Sequence, residues 1–267
     1  MEQRKQDIKY AKMCNELANQ AYQEGNNTPS IYANNSRYYD LVYGCKDYEK
    51  EAEVIERLIK KYKVNNGNKL LDVGCGTGEH LKYMTMSYKC AGLDINSGLL
   101  AVASVKNINI DFQTGNMINF KMDRCFDVIT CLFSSIGYVK TLENLEKTLK
   151  NLFNHLNVGG LLIIEPWFTK KSKSFKVNIP FLTTFEDKEM KIVRLSIAKI
   201  INDLSIMDTH YLVAENGGEV KHFSEEHVLG LFEKNDICKI MKNVGFLPTF
   251  LDEGLNEEDR GLYIGTK

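Results

Sequence analysis

The stretch from Lys69 to Glu79, KLLDVGCGTGE, constrains this chain more than any other: an apolar run, an acidic residue, then glycines spaced G-x-G-x-G. Leu70, Leu71 and Val73 suit a buried parallel strand, and the glycines mark the sharp turn from that strand into a helix. Gly74 and Gly76 carry no Cβ, so the backbone can turn tightly and a ligand can lie directly against it. Such a corner belongs to an open α/β sheet that holds a nucleotide at its strand tips.

The next segment narrows the nucleotide. Lys89 to Leu93 reads as a second short strand ending in Asp94, where a carboxylate accepts hydrogen bonds from ribose hydroxyls. A dinucleotide site asks for G-x-G-x-x-G; here Gly78 takes the fifth position and Glu79 the sixth. A carboxylate at that point repels a pyrophosphate on the helix N-terminus, but not an uncharged thioether-linked adenosine. The D-V-G-C-G-T-G segment with Asp72 resembles motif I of class I S-adenosylmethionine-dependent methyltransferases. S-adenosylmethionine is therefore the expected cofactor, and a nicotinamide dehydrogenase is disfavoured.

Length and patterning set the frame. A chain of 267 residues can bury a large core, and one α/β domain with an embellishment fits it. Ala52, Ile55, Leu58, Ile59 and Tyr62 recur at helical spacing, with Asp47 as N-cap. Further strands are expected at Ile108 to Gln113, Phe126 to Leu132 and Leu161 to Glu165. A helix from Leu142 to Leu156 is expected to stop at Val158-Gly159-Gly160. A last helix, Asp236 to Val244, and strands at Phe246 to Leu251 and Leu262 to Gly265 complete a doubly wound, seven-stranded, mostly parallel sheet. Met190 to Ile201, Ser205 to Ala214 and Glu219 to Leu229 read instead as antiparallel segments joined by turns. The division expected is a polar extension over 1–30, a cofactor-binding core over 31–166 and 232–267, and an antiparallel insertion over 167–231. The extension is expected to be dispensable for the core fold.

Composition excludes other classes. Net charge is −1, without the basic footprint of a nucleic-acid binder. The 7 cysteines form no C-x-x-C pair and read as reduced thiols of a cytoplasmic protein rather than a disulfide framework or a zinc site. MEQRKQDIKY lacks the apolar core of a signal peptide, and no apolar run approaches membrane-spanning length. The histidines match no metal-ligand spacing, so no metal is expected.

Candidate site residues cluster where strands end. The resemblance to class I methyltransferases implies that Asn116, in Gly115-Asn116-Met117, reads an adenine amino group through its carbonyl oxygen; taken alone, the segment is simply a turn. Phe133 to Tyr138 follows the fourth strand, where the cofactor lies across the strand tips. Glu165-Pro166-Trp167 closes the fifth strand; its acid orients a substrate or caps a loop, and Trp167 walls a pocket or packs beneath the insertion. Tyr39, Tyr43 and Tyr48 flank the first helix, and one of their hydroxyls reaching the transfer site is an open alternative to structural packing. The cofactor set is thus Asp72, Gly74, Gly76, Asp94, Asn116, Met117, Phe133 and Tyr48.

Several separated motifs narrow the family: YDLVY with KDY, DVGCGTGEHL, FSSIGYV, EPWF, THYLVA, LFEK and DRGLYIG. From about Tyr39 to Thr266 the chain resembles bacterial nucleotide-activated (dTDP) amino-sugar N,N-dimethyltransferases. The resemblance implies an antiparallel layer after strand five that holds the sugar nucleotide and contributes to a homodimer. It places Met207, Asp208 and His210 near the amino sugar, Tyr43 beside the reacting amine and Arg260 near the pyrophosphate. Tyr43, Asp208 and His210 are the catalytic candidates it implies, and Met207, Arg260 and Trp167 the substrate-binding set. The family generally has an acidic residue where Asn116 stands, and glutamate where Asp94 and Asp208 stand. Two other readings remain: a methyltransferase of a different amine or hydroxyl, and a non-catalytic S-adenosylmethionine-binding protein.

Overall fold

The computed structural model describes residues 36–44, 46–255 and 259–267. The expected extension over residues 1–30 lies outside them. A short helix α1 (Ser36–Tyr43) and an amphipathic helix α2 (Tyr48–Tyr62) lead into β1 (Lys69–Val73). The Asp47 carboxylate accepts the Lys50 N–H at 3.0 Å and so caps α2. Then follow α3 (Glu79–Met84), β2 (Lys89–Asp94), α4 (Ser97–Lys106), β3 (Asp111–Thr114), β4 (Phe126–Cys131), a 3₁₀ turn (Ser135–Val139), α5 (Leu142–His155) and β5 (Leu156–Ile164). After a second run of strands, β6 (Phe181–Glu186), β7 (Met190–Ile201), β8 (Leu204–Glu215) and β9 (Val220–Gly230), the chain closes with α6 (Lys234–Val244), β10 (Leu247–Leu251) and β11 (Leu262–Thr266).

Two sheets result. The first has seven strands in the order β10-β11-β5-β4-β1-β2-β3, and the second has four in the order β6-β7-β8-β9. In the first, β11 runs antiparallel to both β10 and β5, and the other pairings are parallel. Parallel central strands need cover on both faces, and every residue of β4 is buried accordingly. Leu71, Val73, Ile129 and Ile164 face Leu145, Leu149 and Leu152 of α5 and Met241 of α6. Leu70, Val128 and Ile163 face the opposite way, against Ala52, Ile55 and Ile59 of α2 and Leu81 of α3. The β4–β1–β2 tips therefore stand on a core packed from both sides.

Three details depart from the sequence reading. Val158-Gly159-Gly160 does not stop a helix: α5 ends at His155, and β5 already starts at Leu156. The glycines serve backbone contacts instead. Gly159 donates to Lys267 O at 2.9 Å and its carbonyl accepts from Val64 and Asn65, while Lys267 N–H bonds Gly160 O. A Cβ on Gly159 would lie 3.1 Å from the Asn65 nitrogen, so close passage of three chain segments sets the residue type. The third strand starts at Asp111, leaving Ile108 82% exposed in the preceding turn. Strand β6 was not expected; its alternation pairs Phe181 to Glu186 with Ser196 to Lys191 of β7.

Candidate active site between the two sheets

The rim of the seven-stranded sheet is shaped by backbone. Gly74, Gly76 and Gly78 all have positive φ, at 76°, 55° and 77°, a region where side chains are strained. Gly74 and Cys75 donate to Leu93 O at 2.7 and 3.1 Å, which staples the turn to the end of β2. Asp94 then takes Gly76 N–H on Oδ2 and Asn96 N–H on Oδ1, each at 2.9 Å. Burial raises the Asp94 carboxyl and these N–H donors oppose the rise. A Cβ on Gly76 would meet one atom within 4 Å, the Tyr39 hydroxyl at 3.4 Å, and would otherwise stand in the cavity. A bare glycine turn beside a fixed carboxylate is a cradle that fits the ribose and adjoining chain of S-adenosylmethionine. Leu99, Met117 and Phe133 add apolar wall around it.

The other expected cofactor residues are distributed more unevenly. Asp72 lies under the turn rather than on the cavity wall, accepting the Thr130 hydroxyl at 2.8 Å; burial raises its carboxyl. Asn116 reaches the wall, with its carbonyl oxygen accepting Ile118 N–H at 3.0 Å. Tyr48 stays off the wall and packs edge-on to His80 at 4.9 Å. Burial pushes its phenol well above the usual range. In its place the wall holds Lys46 and Glu51, the latter bound to Lys46 and, at 2.7 Å, to His80 Nε2. Glu79 faces outward to Lys106 at 2.6 Å.

Opposite this rim stands the four-stranded sheet, and its pleat sorts the acceptor candidates. Side chains alternate between faces. Met207, Thr209 and Tyr211 face the cavity, with Arg194, Ser196 and Ala198 beside them on β7. Asp208 and His210 fall on the other face, away from the cavity within this chain. There His210 lies 3.3 Å from Asp208 and stacks on His222, with ring centroids 5.1 Å apart. Tyr43 is on the wall, edge-on to Phe133 at 5.3 Å, and Trp167 forms part of the floor with its indole N–H buried and unbonded.

Arg260 is a buried cation rather than a surface one. It is 8% exposed, lies 3.1 Å from the Glu165 carboxylate, bonds Ser134 Oγ and sits over the Phe168 ring. Glu165 also accepts Phe133 N–H at 2.6 Å, so the pair ties the loop after β4 to the segment before β11. Glu257 and Glu258 lie outside the described residues, and Asp259 instead accepts from Lys173 N and Ser174.

Two features of the cavity escaped the sequence reading. Arg194 lines the acceptor side, donating Nε–H to the Thr183 hydroxyl at 3.0 Å and lying over the Phe185 ring. Glu225 and His227 also line it, beside Tyr138 of the expected Phe133 to Tyr138 segment, whose hydroxyl is 3.0 Å from His227 Nδ1. The first had no motif; the second joins residues far apart in the chain.

The two rims enclose one cavity of about 1420 Å³, more than the several hundred Å³ typical of one small ligand. Among the described residues no group of three or more His, Cys, Asp or Glu side chains is arranged to hold a metal, and no helix is long and apolar enough to cross a membrane.

Known proteins match this arrangement. A methyltransferase-domain family model matches residues 70–160. The chain is 30% identical to a dTDP-3-amino-3,4,6-trideoxy-alpha-D-glucopyranose N,N-dimethyltransferase of Streptomyces venezuelae, covering 85% of this chain and 95% of the relative. It is also 30% identical to a dTDP-4-amino-2,3,4,6-tetradeoxy-D-glucose N,N-dimethyltransferase of Saccharopolyspora spinosa, over 90% and 96% of the two chains. The sugar N-methyltransferase KedS8 of a Streptoalloteichus species superposes with a TM-score of 0.78 at 32% identity, covering 91% of this chain and 95% of that one. With its glycine turn, acid-tipped second strand and facing four-stranded sheet, the chain belongs to the methyltransferase family that contains these dTDP-amino-sugar N,N-dimethyltransferases.

Proposed function

We propose that this protein is an S-adenosylmethionine-dependent N-methyltransferase acting on the amino group of a dTDP-linked amino deoxysugar. The observation that carries the reading is the continuous cavity, with cofactor-shaped backbone on one wall and a polar, aromatic sheet face on the other. Bound against the Gly74–Asp94 rim, the cofactor supplies an activated methyl on a sulfonium. The chain's own residues then hold the acceptor amine in line with it and exclude water, a positioning effect worth up to roughly 7–11 kcal/mol. Tyr43 and Met207 flank the path from one wall to the other.

Arg194 is the best-supplied cation for the diphosphate, because its side chain rests on a hydroxyl and a ring rather than a carboxylate. Arg260 shares that region with its charge already balanced by Glu165, so its part is to shape the site as much as to bind. Leu182, Leu195 and Leu212 are exposed on the outer face of the four-stranded sheet, with His210 and Asp208 between them. This face supports self-association as a homodimer. Among the described residues the cysteines are free thiols, in keeping with a cytoplasmic setting.

The test is to incubate the protein with S-adenosylmethionine and a panel of dTDP-3-amino and dTDP-4-amino deoxysugars, and to read added methyl groups by mass spectrometry. One or two added methyls are expected with at least one sugar. In Arg194→Ala the Michaelis constant for that sugar should rise about tenfold or more while cofactor affinity holds. Cofactor binding without transfer to any nucleotide amino sugar would overturn the reading in favour of another acceptor or a non-catalytic role.

A further inference from the structure

The proton of the acceptor has no assigned destination in the chemistry above. A sugar amine is largely an ammonium in neutral water, and its lone pair must be free before it can take a methyl group. The cavity wall carries three neighbouring side chains, with Tyr43 in electrostatic reach of the first and Met207 paired to the strand of the others. Tyr138 comes from the 3₁₀ turn after β4, and His227 and Glu225 from the inner face of β9. The Tyr138 hydroxyl is 3.0 Å from His227 Nδ1, and His227 Nε2 is 3.5 Å from Glu225 Oε2. The imidazole and carboxylate side chains are only 10% and 7% exposed, while nearly half of the Tyr138 surface is open.

That order of groups fixes the direction of the chain. A carboxylate beside Nε2 favours the tautomer with its proton there, which leaves the Nδ1 lone pair to accept the Tyr138 O–H. The phenol oxygen then presents its own lone pairs to the cavity. Burial pushes the Tyr138 hydroxyl well above its usual range, so it remains a neutral phenol and passes protons without resting as a phenolate. The other titratable or charged groups around the pair are Tyr43 on α1, Asp94 at the end of β2, and Tyr211 on β8 with Arg194 beyond it. The strand partner of His227 is the neutral Met207.

We propose that Tyr138 is the catalytic residue that accepts the acceptor's ammonium proton, and that His227, held by Glu225, is the positioning residue that receives it through Tyr138. In this step an N–H bond of the ammonium breaks as its proton bonds to the Tyr138 oxygen, and the Tyr138 O–H proton passes to His227 Nδ1. The amine keeps the electron pair, and the positive charge moves to an imidazolium facing the Glu225 carboxylate. Before a second methylation of the same nitrogen, the imidazolium returns its Nδ1 proton through Tyr138 to water in the cavity, and the methylated ammonium then loses its proton to the emptied relay. This inference rests on the amino-acceptor reading and assigns that site a proton path.

The experiment compares wild type, Tyr138→Phe and His227→Gln across pH, with folding checked by circular dichroism and cofactor affinity by calorimetry. Near neutral pH, kcat/KM for the acceptor should fall about 100-fold in each variant. The deficit should close as pH is raised through the ionisation of the free amine, because the acceptor then arrives neutral. A loss of the same size at every pH, or no loss, overturns the relay and leaves the Tyr138–His227 bond a structural tie between the turn and β9. A second readout needs no turnover. With S-adenosylhomocysteine and the acceptor bound at neutral pH, the His227 ring should give the NMR signature of imidazolium in wild type and of neutral imidazole in Tyr138→Phe. Neutral imidazole in both also overturns it. Wild-type protein inactive on every nucleotide amino sugar defeats the underlying functional reading, whereas active wild type with unaltered pH profiles defeats the relay alone.

Discussion

At the ends of β1 and β2 the cavity wall is backbone and one carboxylate, whereas on β7 to β9 it is side chains standing on a pleat. On the first wall, positive φ at three glycines and two N–H bonds to Asp94 set the shape. Few other residue types satisfy that geometry. On the second, any side chain at the right parity reaches the ligand, and any at the wrong parity does not. Met207 and Asp208 are neighbours in sequence and face opposite ways. The comparison teaches that a cofactor site built from backbone leaves a motif, while an acceptor site built from a sheet face leaves only an alternation.

The largest expected effect comes from breaking the tie between the loop after β4 and the segment before β11, beneath the cavity. Glu165 is 1% exposed and binds both Arg260 and Phe133 N–H. Glu165→Ala leaves a buried guanidinium without its carboxylate and should cost about 3–5 kcal/mol in urea unfolding. A loss below about 1 kcal/mol would mean that other contacts hold the loop after β4 to the segment before β11. Next in size is the backbone wall itself. Asp94→Ala should weaken S-adenosylmethionine binding by about 1–3 kcal/mol by calorimetry, with no change in the acceptor's Michaelis constant and no binding of NAD to either protein. If acceptor binding suffers equally, the walls are not separable. The smallest effect tests parity. Asp208→Ala and His210→Ala should change turnover by no more than about twofold, as surface substitutions do. A loss of tenfold or more, together with a dimer in sedimentation, would show that the outer face of one copy enters the chemistry of another.

What the sequence disclosed follows the same division. Lys69 to Val73, the glycine turn and Asp94 were legible because strand, turn and acid occur within one short segment whose chemistry permits little else. The three long strands of the second sheet were legible from alternation and turns, but not which of their faces is the inner one. That choice depends on β8 packing against α1 through Tyr211 and Val213. Strand β6 is short and follows a polar, lysine-rich stretch that masks its alternation, and Gly159-Gly160 imitates a helix stop while serving backbone contacts with Lys267 and Asn65. The Glu165–Arg260 pair and the Tyr138–His227 contact were invisible for a simpler reason. Their members are remote in the chain: the first pair meets only once β11 has joined β5, and the second only once the two sheets face each other.

Helix α1 touches both walls. Tyr38 and Val42 pack into the second sheet, with the Tyr38 hydroxyl 2.8 Å from Glu215. On the other side Tyr39 stands over Gly76, and Asp40 meets Lys106 at 2.6 Å. Eight residues are too few to stay helical alone in water, so α1 owes its order to being docked on both. A ligand that tightens this docking from one side spares the second ligand part of the ordering cost. By linkage the second must then return the favour by the same factor. About two turns of helix suffice to make the affinities of the two substrates properties of a shared equilibrium.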